Sequence, residues 1–145
     1  MMKTLLILIC MLGLGMASCN SAGDKKVNLT GMKWVLQTLD GKAVQLKEGQ
    51  DRVYIQFDNA EKRAIGMAGC NRFFGGYELD GNKLKFSQMG ATRMACPDME
   101  IETAFFKMLE NTDSCEIKDH MLTFLQKGKV LAVFKGESLS GEAGK

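Results

Sequence analysis

The ten residues "YELDGNKLKF", Tyr77 to Phe86, leave their part of the chain little choice of local fold. Tyr77 and Leu79 before Asp80-Gly81, and Leu84 and Phe86 after it, alternate with Glu78, Lys83 and Lys85. Successive strand side chains point to opposite faces, so each arm is apolar on one side and charged on the other. An Asp-Gly pair between two such arms predicts an antiparallel hairpin with one buried face. The layout recurs in "CEIKDHMLTF", where Glu116, Ile117, Leu122 and Phe124 take the places of Glu78, Leu79, Leu84 and Phe86. These matches are a recurring hairpin solution and too few for a duplicated unit. Lys127-Gly128-Lys129 then turns "MLTFLQ" into "VLAVFK", which completes a meander.

Upstream, "MKWVLQTL" sets Met32, Trp34 and Leu36 against Lys33, Val35 and Gln37, "LDGKAVQL" turns at Asp40-Gly41, and "RVYIQF" sets Val53, Ile55 and Phe57 against Tyr54 and Gln56. Both alternations read as strands with one buried face. "RAIGMAGC" reads as a further strand, bent or bulged at its glycines. One helix is predicted. Pro97 and Asp98 mark its start, Glu100 and Glu102 complement its dipole, and Ile101, Ala104, Phe105, Met108 and Leu109 form a single apolar stripe. The predicted fold is α+β: a strongly curved, mostly antiparallel sheet of seven or so strands, an incomplete β-barrel, with one packed helix. Gly66, Gly69, Gly75 and Gly76 fit its corners.

Residues 1–18 are excluded from that fold. Lys3 is followed by an uncharged apolar run from Leu5 to Ala17, too short to span a bilayer before Asn20, Asp24, Lys25 and Lys26. The run ends in "LGLGMASCN", which resembles a bacterial lipoprotein signal with Cys19 as the lipidated residue; Met16 departs from the more usual Leu, Val or Ile. Cleavage after Ala17 to release a soluble periplasmic protein is the alternative, and it leaves the cysteine at the end of the apolar core unexplained. A triacylated Cys19 would make the membrane a partner through burial of its acyl chains. The expected location is the bacterial cell envelope, at the outer membrane because Asn20 rather than aspartate follows Cys19. Residues 19–30 read as a polar tether, 31–136 as the folded domain and 137–145 as a disordered tail.

Lys and Arg number 19 against 17 Asp and Glu, and loss of Lys3 leaves an excess of one. A surface so balanced carries no footprint for nucleic acid, so no nucleic-acid partner is expected. With Cys19 acylated, Cys70, Cys96 and Cys115 remain in the domain. In an oxidising compartment Cys70 and Cys96 are the favoured pair, and their loop would contribute about 3.5 kcal/mol in the chain-entropy model. The alternative is that both are buried thiols, which is how Cys115 is read.

"GCNRFFGGY" from Gly69, "TRMAC" from Thr92 and "ETAFFKML" from Glu102 resemble the META domain family in its HslJ-like form. The resemblance extends to Trp34, Leu36 and the closing strands. It implies a small α+β fold with a curved antiparallel sheet, an envelope location, and a link to heat shock and novobiocin resistance. It carries over no catalytic residues.

Arg72 and Arg93 flank the two candidate half-cystines, so a bridge would bring them near one another and near Asn71 as a possible anion site. Against this, both arginines fit solvent-facing positions whose stems cover apolar neighbours, and Asn71 fits a side chain bonding the local backbone of a tight bend. His120, the only histidine, reads as half of a turn pair with Asp119. No G-x-S-x-G, H-E-x-x-H or phosphate-cradling loop is present. The expectation is therefore a non-enzymatic envelope lipoprotein without metal or cofactor, acting through a protein partner or an apolar ligand. A solute-binding or inhibitor module built on Arg72 and Arg93 is the alternative.

Overall fold

A computed structural model describes residues 28–139. Residues 1–27 and 140–145 lie outside it, and with them the leader, Cys19, most of the tether and the end of the tail. The elements in order are β1 (Met32–Leu39), β2 (Lys42–Ala43), β3 (Tyr54–Asp58), β4 (Arg63–Met67), β5 (Arg72–Asp80), β6 (Lys83–Ala91), α1 (Glu100–Asn111), β7 (Ser114–Lys118), β8 (Met121–Gln126) and β9 (Lys129–Ser138). The nine strands form one antiparallel sheet that returns on itself where β1 pairs with β9. The ring is weakest between β6 and β7, which share the single register pair Lys83 and Ser114. The chain spends the residues between those two strands on α1, which lies along β6.

Two-residue turns account for most of the meander. Asp40-Gly41, Asp119-His120 and Lys127-Gly128 all take positive φ at both positions, the type I′ pattern whose twist matches the flanking strands. In the Tyr77–Phe86 hairpin the paired residues are Asp80 and Lys83, so the loop is Gly81-Asn82, one residue later than Asp80-Gly81. Only Gly81 of that pair has positive φ. β6 carries a bulge where Gln88, at φ 50°, interrupts the register between Phe74 and Gly76.

The core lies inside the ring. Trp34, Ile55, Phe73, Leu84, Phe124 and Phe134 are buried from the strands, and Phe105, Met108 and Leu109 from the helix. Ile101 and Ala104 pack against this core half-buried, so the predicted stripe is the face that docks. The Phe73 and Phe105 rings meet with centroids 5.2 Å apart, and Phe124 and Phe134 at 4.8 Å, separations at which aromatic pairs attract beyond their burial.

The folded unit is slightly longer at each end than 31–136. Leu29 is buried and its carbonyl accepts a 2.8 Å hydrogen bond from the Trp34 indole, which makes it part of the core. At the other end Glu137 and Ser138 still pair with β1, and Glu137 holds Arg52 at 2.5 Å. Val35, expected to face outward, is buried, because the connection between β2 and β3 folds back over β1 with Leu46 and Arg52 close by. The helix begins at Glu100, after the Asp98 carboxylate accepts the Glu100 N–H at 2.9 Å.

Candidate functional site

Between β4 and β5 the chain reverses through Ala68, Gly69, Cys70 and Asn71. Gly69 sits at φ 123°, outside the range L side chains readily adopt, so this tight corner requires glycine. The corner is buried and its polar groups need partners other than water. Glu102 on the first turn of α1 supplies them. Its carboxylate accepts from the Asn71 N–H at 2.8 Å, from the Asn71 side-chain amide at 2.9 Å and from the Cys70 N–H at 3.3 Å. The Asn71 side-chain oxygen Oδ1 in turn accepts from the Met94 N–H at 2.7 Å and the Thr92 hydroxyl at 3.0 Å. Cys70 and Cys96 are joined in a disulfide, Cα to Cα 6.3 Å, which closes the strap of residues 92–96 over the corner.

One clamp thus unites the three sequence blocks. The Asn71 backbone carbonyl accepts from the Ala68 N–H within the bend, but its side chain, expected to serve that bend, bridges instead to the strap and the helix. Glu102 was expected only to complement the helix dipole, yet it is 6 % exposed and makes the clamp's central contacts. A signal existed: Glu102 precedes Phe105 and Leu109 by one and two turns, which places it on the apolar face where a charged residue needs a partner. No buried side-chain nitrogen or oxygen among the described residues lacks a hydrogen-bond partner. Three hydrogen bonds from the backbone and amide it holds make Glu102 a fastener of the corner.

Above the clamp a groove of 710 Å³ runs between the end of β6 and the helix. Met89, Gly90 and Ala91 line one side, Met99, Phe106 and Glu110 the other, with Phe74, Arg93 and Met94 at the rim and Asn71 and Glu102 beneath. Phe74 is 47 % exposed and Met94 64 %. Phe74 can lie across β6 only because residue 90 is glycine, where a Cβ would stand 2.9 Å from its ring. Methionine and phenylalanine together make a surface that is apolar and able to repack.

The sequence-predicted residues are divided by this geometry. Cys70, Cys96 and Asn71 meet in the clamp, and Arg93 lines the groove. Arg72 is exposed on β5, tied to Thr92 through the backbone, and is not part of the groove's lining. Neither guanidinium makes an ion pair among the described residues. His120 occupies its turn, with its carbonyl accepting from the Gly136 N–H. Cys115 is a free, buried thiol whose pKa burial pushes up to about 12, so it stays protonated and inert at neutral pH. Among the described residues no three His, Cys, Asp or Glu side chains converge as a metal site would, and no helix is long and apolar enough to cross a membrane.

A model of the META domain matches residues 27–138, a span that contains the clamp, the groove and all nine strands. The chain belongs to the META domain family. Its META fold is similar to that of a protein from Burkholderia xenovorans solved by NMR, at 28 % identity and a TM-score of 0.60, over 75 % of this chain and 83 % of that one. A second NMR structure shares the META fold at 23 % identity and a TM-score of 0.57, covering 73 % of this chain and 90 % of the other. No curated protein matches the chain.

Proposed function

We propose that this META domain is a non-enzymatic binding module of the bacterial envelope, carried on a lipid at Cys19, and that it engages an apolar ligand or a protein partner through the groove between β6 and α1. The observation that carries the reading is the exposure of Phe74 and Met94 around a 710 Å³ groove whose base is a completed hydrogen-bond network. Large apolar side chains left open to water above a rigid floor fit a site that gains free energy when covered. The anchor rests on "LGLGMASCN" alone, and a role in heat-shock or novobiocin-type stress rests on the family resemblance.

The test is binding of an environment-sensitive apolar dye to the full chain. Fluorescence should rise on binding and fall when Phe74→Ser and Met94→Ser are introduced together; dye uptake unchanged by that double variant refutes the groove. Mass spectrometry of the native protein should show a lipid at position 19, and transcript that does not respond to heat or novobiocin removes the stress role. The solute-binding alternative retains Arg93 at the groove, and an Arg72→Ala, Arg93→Ala variant that binds small anions as well as wild type eliminates it.

A further inference from the structure

The groove has a second property besides its apolar lining: one of its walls is an unpaired strand edge. Thr92 donates its N–H to the Arg72 carbonyl at 3.0 Å, and Gly90 stands opposite Phe74. In an antiparallel ladder consecutive residues direct their N–H and C=O to opposite sides. Residues 92 and 90 face β5, so the N–H and C=O of Ala91 face away from it, toward the groove. β7 does not cover them, because β6 and β7 meet only at Lys83 and Ser114, at the far end of β6. Among the described residues no strand pairs with the side of β6 away from β5 beyond that point. The helix runs beside the edge without completing it, since α1 satisfies its own backbone groups internally.

The geometry points to an extended peptide segment as the occupant of this groove, added to the edge of β6 at Ala91, with apolar side chains seated against Met89, Met94 and Phe106 and a carboxylate beside Arg93. This rests on the groove reading above and narrows it. A lipid chain would bury against the same methionines but would leave the Ala91 N–H and C=O unmade, whereas a strand satisfies both while its alternate side chains reach the apolar wall. The charge at the rim selects further. Arg93 is exposed and makes no ion pair among the described residues, so it can donate two parallel N–H bonds to a carboxylate, either an acidic side chain or a free chain end. Glu110 on the opposite side repels a second carboxylate there and so orients the segment.

The test uses the full chain and a display library of random decapeptides, followed by synthetic copies of the selected sequences labelled with fluorescein. Selected peptides should carry apolar residues at alternate positions and at least one carboxylate. Methylating their backbone nitrogens at alternate residues should weaken binding about tenfold in one of the two registers and leave the other nearly unchanged, as loss of edge hydrogen bonds predicts. Ala91→Pro removes the edge donor and spares the ladder to β5, and should weaken binding similarly, while Arg93→Ala should do so only for peptides whose carboxylate is intact. Peptides that bind equally well with either register methylated overturn the inference, and so does a library that yields no binder. Should the dye bind the groove and be displaced by palmitate but by no peptide, the groove reading stands and the peptide falls. If the dye does not bind at all, both fall. Concentration-dependent dimerisation abolished by Ala91→Pro would assign the edge to a second copy and overturn the inference as well.

Discussion

Two carboxylates each fasten a corner of the ring, and they do so under opposite conditions. Glu102 is buried at the corner of β4 and β5 and reaches that corner from the helix, far away in sequence. Asp113 is only partly buried just before β7, where it accepts from the Ser114 hydroxyl and from the Lys127 N–H, both at 2.7 Å. The hydrogen bonds of Asp113 compete with water and hold its carboxyl below the ordinary range, first through Ser114 and then through Lys127. Those of Glu102 have no such competitor, so losing them leaves buried donors with nothing to bond. The difference follows the strands. The β7–β9 meander has ladders broken by a single bulge, where Phe124 pairs with Ala132 and Leu125 with Val130, and turns in their preferred conformation, and its corner is tied by a partly exposed carboxylate. The β4–β6 region is interrupted by glycines and a bulge, and is held by a buried clamp and a disulfide instead.

This contrast can be broken most readily at Glu102. Glu102→Leu should cost about 4 kcal/mol, read as a drop in the urea midpoint, because three donors lose their acceptor together. A cost equal to that of Asp113→Asn would abolish the distinction between the two corners. Next in size, the double variant Cys70→Ala, Cys96→Ala should lose about 3 kcal/mol, and hydrogen exchange should accelerate in residues 68–71 and 92–96 before it does in the meander. Uniform acceleration would show that the two regions unfold as one unit.

An effect confined to alkaline pH belongs to the meander's thiol. Cys115 is neutral in the fold until about pH 12 but ionises from about 9 in the unfolded chain. Its folded pKa is the raised one, so the stability it contributes is complete below pH 9 and declines as pH rises toward 12. Cys115→Ala should flatten that alkaline decline, and an unchanged slope would place the loss elsewhere. The smallest effect is Asp113's. Its folded pKa is lowered, so its contribution is present above the usual carboxylate range and disappears as pH falls through the folded value. Asp113→Asn should therefore narrow the stability gap to wild type as the solution is acidified, measured by thermal melts across the acid range.

Where function of a residue depends on its immediate neighbours, the sequence was enough. The hairpins, their turns and the helix stripe are period-two and period-3.6 patterns bounded by turn residues, and each formed within a residue or two of its expected place. The pairing of Cys70 with Cys96 also matched the favoured option. The clamp was harder. Asn71 looked local because Asn so often is, and its true partners, Glu102 and the Met94 N–H, become neighbours only when the helix docks. The groove was not legible at all, since it depends on β6 outrunning β7 and on a phenylalanine lying over Gly90. The extra strand residues at 137 and 138 were missed because the polar tail composition outweighed their pairing with β1.

The pairing of β1 with β9 has a consequence for biosynthesis. Every segment between them must leave the ribosome, and pass any export machinery, before Trp34 can meet Gly136 across the seam. Until then β1 offers one side as an unprotected template for foreign strands, and such late, long-range contacts make assembly slow. A nascent chain of this kind is most vulnerable to aggregation just before its final ten residues of strand arrive, and a chaperone that shields β1 during that interval would help it more than one acting on any other element.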